Sequence, residues 1–463
     1  MNFVSMSFFA FLIVIIFLLS KTNEIKRQRY ILLIFSLLFY SWWDIRFSGL
    51  LIFTIMIAYI FALKIWYSKQ KRRYCIVGIS ILLSILFYFK YYNFFMESFN
   101  RIFSFDNKTG LDIVLPIGIS FYIFQAISYI MDVYFGQVIP TRDFSKLALY
   151  ISFFPQLVAG PIVRSKDFLE QLEEVHRIEK DNLLSGIQIF LFGIVKKIVI
   201  ADRLAICVDA VFAAPSQYSA FSLIGAIIAY SMQIYCDFSG YSDMAIGIAQ
   251  MLGYKLCVNF NLPYLSRNPS EFWRRWHISL SSWLRDYIYI PLGGNRKGKA
   301  RQYFNLCFTM LLGGLWHGAN WTFIVWGGVH GIALVMHKIY LLKRKHCKTA
   351  NRSGGFLSII GMYIFVCIGW IFFRAENIQI ALIILKRIIM CANGINYIYT
   401  YTMIYGAVLL GIHLLIGIRN RGEGTYLILD LRKFGSRFFF FLEVFLTILV
   451  CYLGSTAFIY FQF

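Results

Sequence analysis

Two histidines of this sequence stand where a titratable ring could do chemistry. His317 lies in the apolar, glycine-rich run LLGGLWHGANWTFIVWGGVHG, residues 311–331, and His277 lies in FWRRWHISL. A neutral imidazole near pH 7 can accept a proton and return it, so both are candidates for general acid–base catalysis. From the residues alone, a hydrogen-bonded structural role for His317 and a solvated or headgroup-contacting role for His277 are open alternatives. His330 is expected to be structural.

Basic residues surround the His277 motif. Within 266–301 they are Arg267, Arg274, Arg275, Arg285, Arg296, Lys297, Lys299 and Arg301. A basic cytoplasmic funnel that leads to a histidine at membrane depth would suit an anionic acyl donor, such as a coenzyme A thioester. The candidate contacts for this donor are Arg274, Arg275, Trp276, Arg285 and Asn320. The donor is expected to be a transient substrate, and neither a permanently bound cofactor nor a metal is expected.

Other polar motifs are interpreted as structural. Asp237 and Asp243 stand in YCDFSGYSDMAIGIAQMLGY, residues 235–254, which is either a re-entrant helix with buried hydrogen bonds or a site of carboxylate catalysis. The structural alternative is favoured, because no set of metal ligands accompanies the aspartates. The run LVAGPIVR, 157–164, is expected to interrupt a helix. GGNRKGKA, 293–300, lacks the Ser or Thr of a phosphate loop and indicates a basic turn.

The amino-acid composition indicates whether the chain that carries these motifs lies in water or in lipid. Of the 463 residues, 59% belong to the AVILMFWYC set and only 15% are charged, and the mean hydropathy is +0.65. Average globular chains are roughly 45–50% apolar and about 25% charged. The chain must therefore be solvated largely by lipid, which excludes a soluble enzyme, a disordered chain and a conventional nucleic-acid binder. The nine cysteines include no C-x-x-C pair, so zinc and redox motifs are not indicated.

The positioning elements are expected to be membrane helices, each needing roughly 20 apolar residues. The candidate spans are 3–20, 30–43, 48–66, 75–90, 113–135, 145–163, 183–201, 219–236, 303–316, 320–337, 356–373, 399–418 and 438–461. Two further segments are predicted to be helices that lie at the membrane surface: 269–288, starting at Pro269, and 376–391. No long polar linker occurs, so residues 1–463 are expected to form one membrane domain.

Basic clusters predict the orientation, because Lys and Arg accumulate in cytoplasmic loops. The charge excess of +22 fits this explanation better than a polyanionic partner. The stretches 21–29, 69–73, 266–301, 338–352 and 419–437 are expected on the cytoplasmic side. The N-terminus is then expected outside. Charges near 137–185 are mixed and do not indicate a side.

Several long motifs together resemble the membrane-bound O-acyltransferase family. The matching stretches are LPIGISFYIFQAISYIMDVY (115–134), FFPQLVAGPIVR (153–164), residues 235–254, NFNLPYLSRNPSEFWRRWHISLSSWLRDYIYIPLGG (259–294), residues 311–331 and GWIFFRA (369–375). They cover most of 115–375. The resemblance is to the bacterial branch that contains the membrane subunits of alginate O-acetylation and of teichoic acid D-alanylation. The residue sequences of the motifs are closer to those of the alginate type.

This resemblance implies an all-α integral membrane fold: a ring of about 11–13 transmembrane helices with re-entrant and interfacial helices. It implies that His317, in the W-H-G motif, is the main catalytic residue and that His277 is the second functional histidine. His277 would polarise the thioester carbonyl or orient the acceptor. The implied location is the bacterial cytoplasmic membrane, in contact with membrane lipids.

The function implied is O-acetylation of an extracytoplasmic polysaccharide, such as an alginate-like glycan, cellulose or another cell-surface glycan. Acetyl would come from cytoplasmic acetyl-coenzyme A, and a separate extracytoplasmic transferase is expected as partner. No nucleic acid is expected to bind. One alternative is D-alanyl transfer to teichoic acid, with an acidic carrier protein on the basic face. Another is a transporter or channel without chemistry, which the absence of an evident inverted repeat disfavours.

Overall fold

The regular structure of this chain is helical. The computed structural model describes residues 2–104, 110–158, 160–345, 355–397, 399–419, 426 and 428–450. Within these residues no strand forms, and a single isolated bridge pairs Tyr218 with Ile395. The all-α prediction is therefore confirmed. Parts of two predicted basic stretches, 346–352 and 420–425, lie outside the described residues.

Two compact units can be distinguished, and each is described by itself. The first comprises Met1–Phe190 and Ser242–Cys257, and the second comprises Leu191–Tyr241 and Val258–Phe463. Two helices of the chain, Lys180–Ile194 and Ala220–Met251, contribute residues to both units. The expectation of one membrane domain stays a prediction.

The first unit holds the N-terminal helices. They are α1 Met6–Ser20, α2 Ile25–Ser41, α3 Ile45–Tyr67, α4 Lys71–Leu86, α5 Tyr92–Phe103, α6 Ile119–Tyr134, α7 Phe144–Ser152, α8 Phe154–Leu157, α9 Ser165–Gln171 and most of α10 Lys180–Ile194. A π-helical turn, Phe87–Tyr91, joins α4 to α5.

The second unit holds the candidate histidines. Its helices are α11 Asp202–Ala213, most of α12 Ala220–Met251, α13 Pro269–Arg275, α14 Ile278–Leu284, α15 Lys299–His317, α16 Trp321–Lys345, α17 Phe356–Arg374, α18 Ile378–Ile389, α19 Thr400–Arg419 and α20 Phe434–Val450. Two π-helical segments, Val195–Ala201 and Arg285–Tyr289, extend α10 and α14.

Six helical segments among the described residues are long and apolar enough to cross a membrane. They are Ile45–Tyr67, Lys71–Phe103, Lys180–Ala213, Ala220–Met251, Trp321–Lys343 and Phe356–Arg374. This confirms an integral membrane architecture. The larger number of about 11–13 spans stays a prediction, since a shorter or more polar helix needs a thinned bilayer or flanking bases to span. The end of the predicted span 438–461 lies outside the described residues, beyond α20.

Two predictions about helix continuity meet different outcomes. The break predicted at 157–164 is confirmed: α8 ends at Leu157 and α9 begins at Ser165, with Ala159 outside the described residues. The re-entrant segment predicted at 235–254 is wrong, because α12 runs unbroken to Met251. Glycines of this segment allow α12 to pack closely against α10 instead. A Cβ at Gly247 would lie 2.6 Å from the carbonyl oxygen of Gly186, so the two helix backbones touch there.

The predicted surface helix over 269–288 is also wrong as a single element. Its start is as expected: α13 begins at Pro269, and the Asn268 side chain caps it by accepting from the Glu271 N–H at 2.9 Å. The chain then turns at Trp276 and His277, and His277 adopts left-handed angles (φ 43°, ψ 55°) before α14 begins. The helix predicted over 376–391 is confirmed as α18; its place at the membrane surface stays a prediction.

Candidate active site

His277 is buried at the break between α13 and α14. Its side chain is fully buried, so the solvated alternative is wrong. The left-handed conformation costs a non-glycine residue on the order of 1–3 kcal/mol, and such strain persists only where the surroundings enforce it. Two backbone hydrogen bonds enforce it here, from Asn261 N–H to Arg275 and from Ile278 N–H to Asn259, both 2.9 Å. Burial lowers the pKa of His277 to about 3, so the ring is neutral near pH 7.

His317 is the last residue of α15. The helix ends there because Gly318 is extended (φ −161°, ψ 151°), and α16 begins after a three-residue turn. Glycines bring these two helices into contact: a Cβ on Gly314 would lie 2.2 Å from the carbonyl oxygen of Phe323. The His317 side chain is 2% exposed. The helix end thus holds a buried imidazole at a fixed point of a tightly packed helix pair.

The two predicted catalytic rings lie close together. Their centroids are 6.3 Å apart, and Trp316 contacts both, at 5.8 Å from His277 and 5.1 Å from His317. The structure therefore brings together, from helices forty positions apart, the pair that the motifs singled out.

His330, predicted to be structural, lies deeper in the same aromatic cluster. Its ring centroid is 4.8 Å from Trp326 and 5.2 Å from Trp273, and Trp326 in turn is 5.1 Å from His317. Neither ring nitrogen of His330 has a hydrogen-bond partner among the described residues. The environment is aromatic packing, and the structural role stays a prediction.

Three of the predicted donor contacts are arginines near the surface of the second unit. Arg274 and Arg285 are exposed and Arg275 is half-buried. Arg275 pairs with Glu271 at 2.9 Å, and Arg285 pairs with its neighbour Asp286 at 2.6 Å. These carboxylates offset part of the positive charge that the sequence suggested for this face.

The other two predicted donor contacts are held by internal interactions. Trp276 is 1% exposed and stacks on Phe272, with centroids 5.6 Å apart. Asn320 caps α16: its oxygen accepts from the Thr322 N–H at 3.0 Å, and its amide group donates to the Glu376 carbonyl at 2.8 Å. Both residues shape the site from within, and their contact with a donor stays a prediction.

A cavity of about 260 Å³ lies between α13, α14, α15 and α16. Its lining combines hydroxyls, two cations and apolar side chains, among them Ser270, Ser281, Thr309, Arg285, Lys338 and Trp273. The ring centroid of Trp273 lies 5.7 Å from that of Trp326, which in turn lies 5.1 Å from that of His317. Sequence reasoning found Arg285 but missed Lys338 and the hydroxyls as lining residues, because these residues come from four helices and share no motif.

The buried aspartate Asp237 has a structural partner that the motifs did not reveal. Lys197 lies 2.6 Å from Asp237 and 2.7 Å from Asp202, and all three side chains are at most 3% exposed. This agrees with the structural interpretation of Asp237. Within the described residues no cluster of three or more His, Cys, Asp or Glu side chains could hold a metal ion. Lys197 could have been found as a charge inside the apolar run 183–201.

Comparison with known proteins identifies relatives of this chain. Residues 139–382 match the family model described as MBOAT, membrane-bound O-acyltransferase family. The chain is 43% identical over 391 residues to the probable alginate O-acetylase AlgI of Pseudomonas putida, covering 81% of this chain and 78% of that protein. It is 40% identical to the peptidoglycan O-acetyltransferase of Helicobacter pylori, covering 79% and 74%.

A more distant relative is the teichoic acid D-alanyltransferase of Bacillus subtilis, 28% identical over 273 residues, which cover 56% of this chain and 69% of that protein. The family match spans both candidate histidines and more than half of the sequence. With its membrane-crossing helices, the chain is a multi-pass membrane acyltransferase, and it belongs to the membrane-bound O-acyltransferase family.

Proposed function

We propose that this enzyme moves acetyl from cytoplasmic acetyl-coenzyme A across the bacterial cytoplasmic membrane for O-acetylation of an extracytoplasmic polysaccharide. The observation that carries the proposal is the buried pair His277 and His317, whose ring centroids are 6.3 Å apart, in the same unit as a cavity with cationic and hydroxyl lining. The relatives named as alginate and peptidoglycan O-acetylating proteins support acetyl as the transferred group.

The proposed step is a direct acyl transfer. An acceptor hydroxyl gives its proton to a ring nitrogen of His317, and its oxygen forms a bond to the thioester carbonyl carbon. The carbon–sulfur bond then breaks, and the sulfur leaves with the electron pair and takes the proton from His317. A positioned general base and acid of this kind contributes about 10²–10⁴-fold in rate. His277 would orient the reactants beside His317.

The cavity is the proposed binding place of the donor arm. Its hydroxyls could accept and donate hydrogen bonds to the amides of a pantetheine chain, while Leu284, Leu306 and Met310 would contact the methylenes. Arg285 and Lys338 at the lining would attract the coenzyme phosphates, as Arg274 and Arg275 on the same unit would from outside it. Trp273 would mark the path from the cavity toward His317.

The sidedness and partner of the reaction belong to the same proposal. The basic segment 266–301 would face the cytoplasm, where acetyl-coenzyme A is available, and the N-terminus would lie outside. An extracytoplasmic transferase would receive the acetyl group and pass it to the glycan. The D-alanyl alternative has weaker support, since the relatives of that name are 28% and 32% identical over little more than half of the chain.

Calorimetry of the purified full-length protein tests the donor. We expect acetyl-coenzyme A to bind, with affinity that falls between low and high salt because exposed charges are screened over about 8–10 Å. Arg285→Gln and Lys338→Gln should each weaken binding. Lys26→Gln, at an exposed basic position of the first unit, is the matched control and should leave it unchanged. Tight binding of a D-alanyl carrier protein without coenzyme binding would contradict the proposal.

A further inference from the structure

The Asn259 side chain lies against the His277 ring, and its oxygen makes three polar contacts. Its oxygen accepts from the Ser279 backbone N–H at 3.2 Å and from the Ser279 hydroxyl at 2.9 Å. The same oxygen lies 3.2 Å from Nδ1 of His277. All three side chains are buried, with Asn259 at 1% and His277 at 0% exposure. A buried amide with this many neighbours has one orientation only.

These contacts determine which ring nitrogen of His277 carries the proton. A backbone N–H can only donate, so the Asn259 atom facing Ser279 must be the oxygen rather than the amide nitrogen. That oxygen is an acceptor, and Nδ1 of His277 must therefore carry the hydrogen. In a neutral imidazole the other nitrogen, Nε2, then has a lone pair and no hydrogen.

The neighbours of the ring keep it neutral. Aromatic side chains in contact with it include Phe238 from α12 at 4.5 Å, Phe260 at 6.4 Å and Trp316 at 5.8 Å, and these three carry no charge. His317 from α15 is a titratable group that faces it. Burial among these rings holds the pKa of His277 near 3, so the doubly protonated ring is a minor species at physiological pH.

We propose that Asn259 is a positioning residue that fixes His277 as a hydrogen-bond acceptor, so that Nε2 accepts a hydrogen bond from a hydroxyl of the acyl-accepting molecule other than the one that gives its proton to His317. This inference rests on the proposed acyl transfer and narrows it. Of the two roles that the sequence left open, polarising the thioester carbonyl requires a hydrogen on Nε2, whereas a lone pair on Nε2 can orient the acceptor by accepting from its hydroxyl. The Asn259 contacts select orientation of the acceptor.

Two substitutions separate positioning from simple packing. Asn259→Asp keeps the acceptor oxygens for Nδ1 and Ser279 but adds a negative charge, which raises a neighbouring histidine pKa by about 1–3 units. We expect its transfer rate at pH 8 to approach the wild-type rate and to fall below the wild-type rate at acidic pH, where the added charge favours the doubly protonated ring, which has no lone pair at Nε2. Asn259→Ala should lose up to about 100-fold at every pH, the cost of a misplaced reacting group.

The matched control is Asn305→Ala. Asn305 is also fully buried in the second unit, and its amide group donates to the Gly294 carbonyl at 3.1 Å in the turn before α15. Its loss should lower the melting temperature and leave the shape of the pH profile unchanged. The assay is transfer of labelled acetyl from acetyl-coenzyme A in membrane vesicles from cells that express the whole chain, normalised to protein amount.

A spectroscopic measurement keeps the proposal testable if Asn259→Ala fails to fold. In the full-length protein labelled with ¹⁵N-histidine, the signal that disappears in His277→Gln should show a protonated Nδ1 and an unprotonated Nε2. An unprotonated Nδ1 would overturn the proposal. So would an Asn259→Asp profile that superimposes on the wild type while its melting temperature falls as far as that of Asn259→Ala. If the wild type transfers no acetyl, the proposed function fails, and the ¹⁵N result still stands by itself.

Discussion

Two of the places where the second unit buries polar groups differ in kind. At one, the Lys197 ammonium group lies between the carboxylates of Asp202 and Asp237. At the other, His277 and His317 are enclosed by aromatic rings. Opposite charges that contact one another resist change, because each depends on the other for solvation. A neutral imidazole can exchange a proton with an incoming molecule. A buried polar group therefore indicates function only when its neighbours leave it able to exchange a proton with another molecule.

The largest effect expected on the ion-pair side is on stability. Lys197→Met removes the ammonium group that lies between two buried carboxylates, and breaking a buried ion pair in this way costs about 3–5 kcal/mol. We expect the variant to melt far below the wild type or to fail to accumulate in the membrane. The triple variant Lys197→Met, Asp202→Asn and Asp237→Asn removes the charges together and should recover much of the loss. A single variant with the wild-type melting temperature would show that the network is dispensable and would weaken the comparison.

The smallest expected effect is at Asn320, on the histidine side. Because its oxygen caps α16, Asn320→Ala should destabilise the protein by about 1 kcal/mol and leave acetyl-coenzyme A affinity unchanged. Asn320→Ser keeps a capping oxygen and should restore the melting temperature. Calorimetry and thermal melting on the same preparations measure both quantities. Reduced coenzyme affinity in the stable Ser variant would instead place Asn320 in contact with the donor.

The histidine pair and the Lys197 network also differ in how much of each can be predicted from the sequence. His317 and His277 stand in recognisable motifs, and the helices that carry them follow from apolar run length and from the Pro269 start. The left-handed break at His277 could not be predicted, because hydrogen bonds to Asn259 and Asn261 impose it from a segment well away in sequence. The Lys197 network was missed for the same reason. A lysine in an apolar run signals that partners exist, but only the packing of α11 and α12 shows which they are.

His317→Ala tests the central claim most directly. The measurement is acetyl transfer by wild type, His317→Ala and His330→Ala at equal protein amount, with the melting temperature of each. We predict that His317→Ala remains folded in the membrane and loses transfer by about 10²-fold or more, while His330→Ala, which is buried in the same aromatic cluster, loses much less. Transfer at the wild-type rate by a well-folded His317→Ala protein would contradict the account.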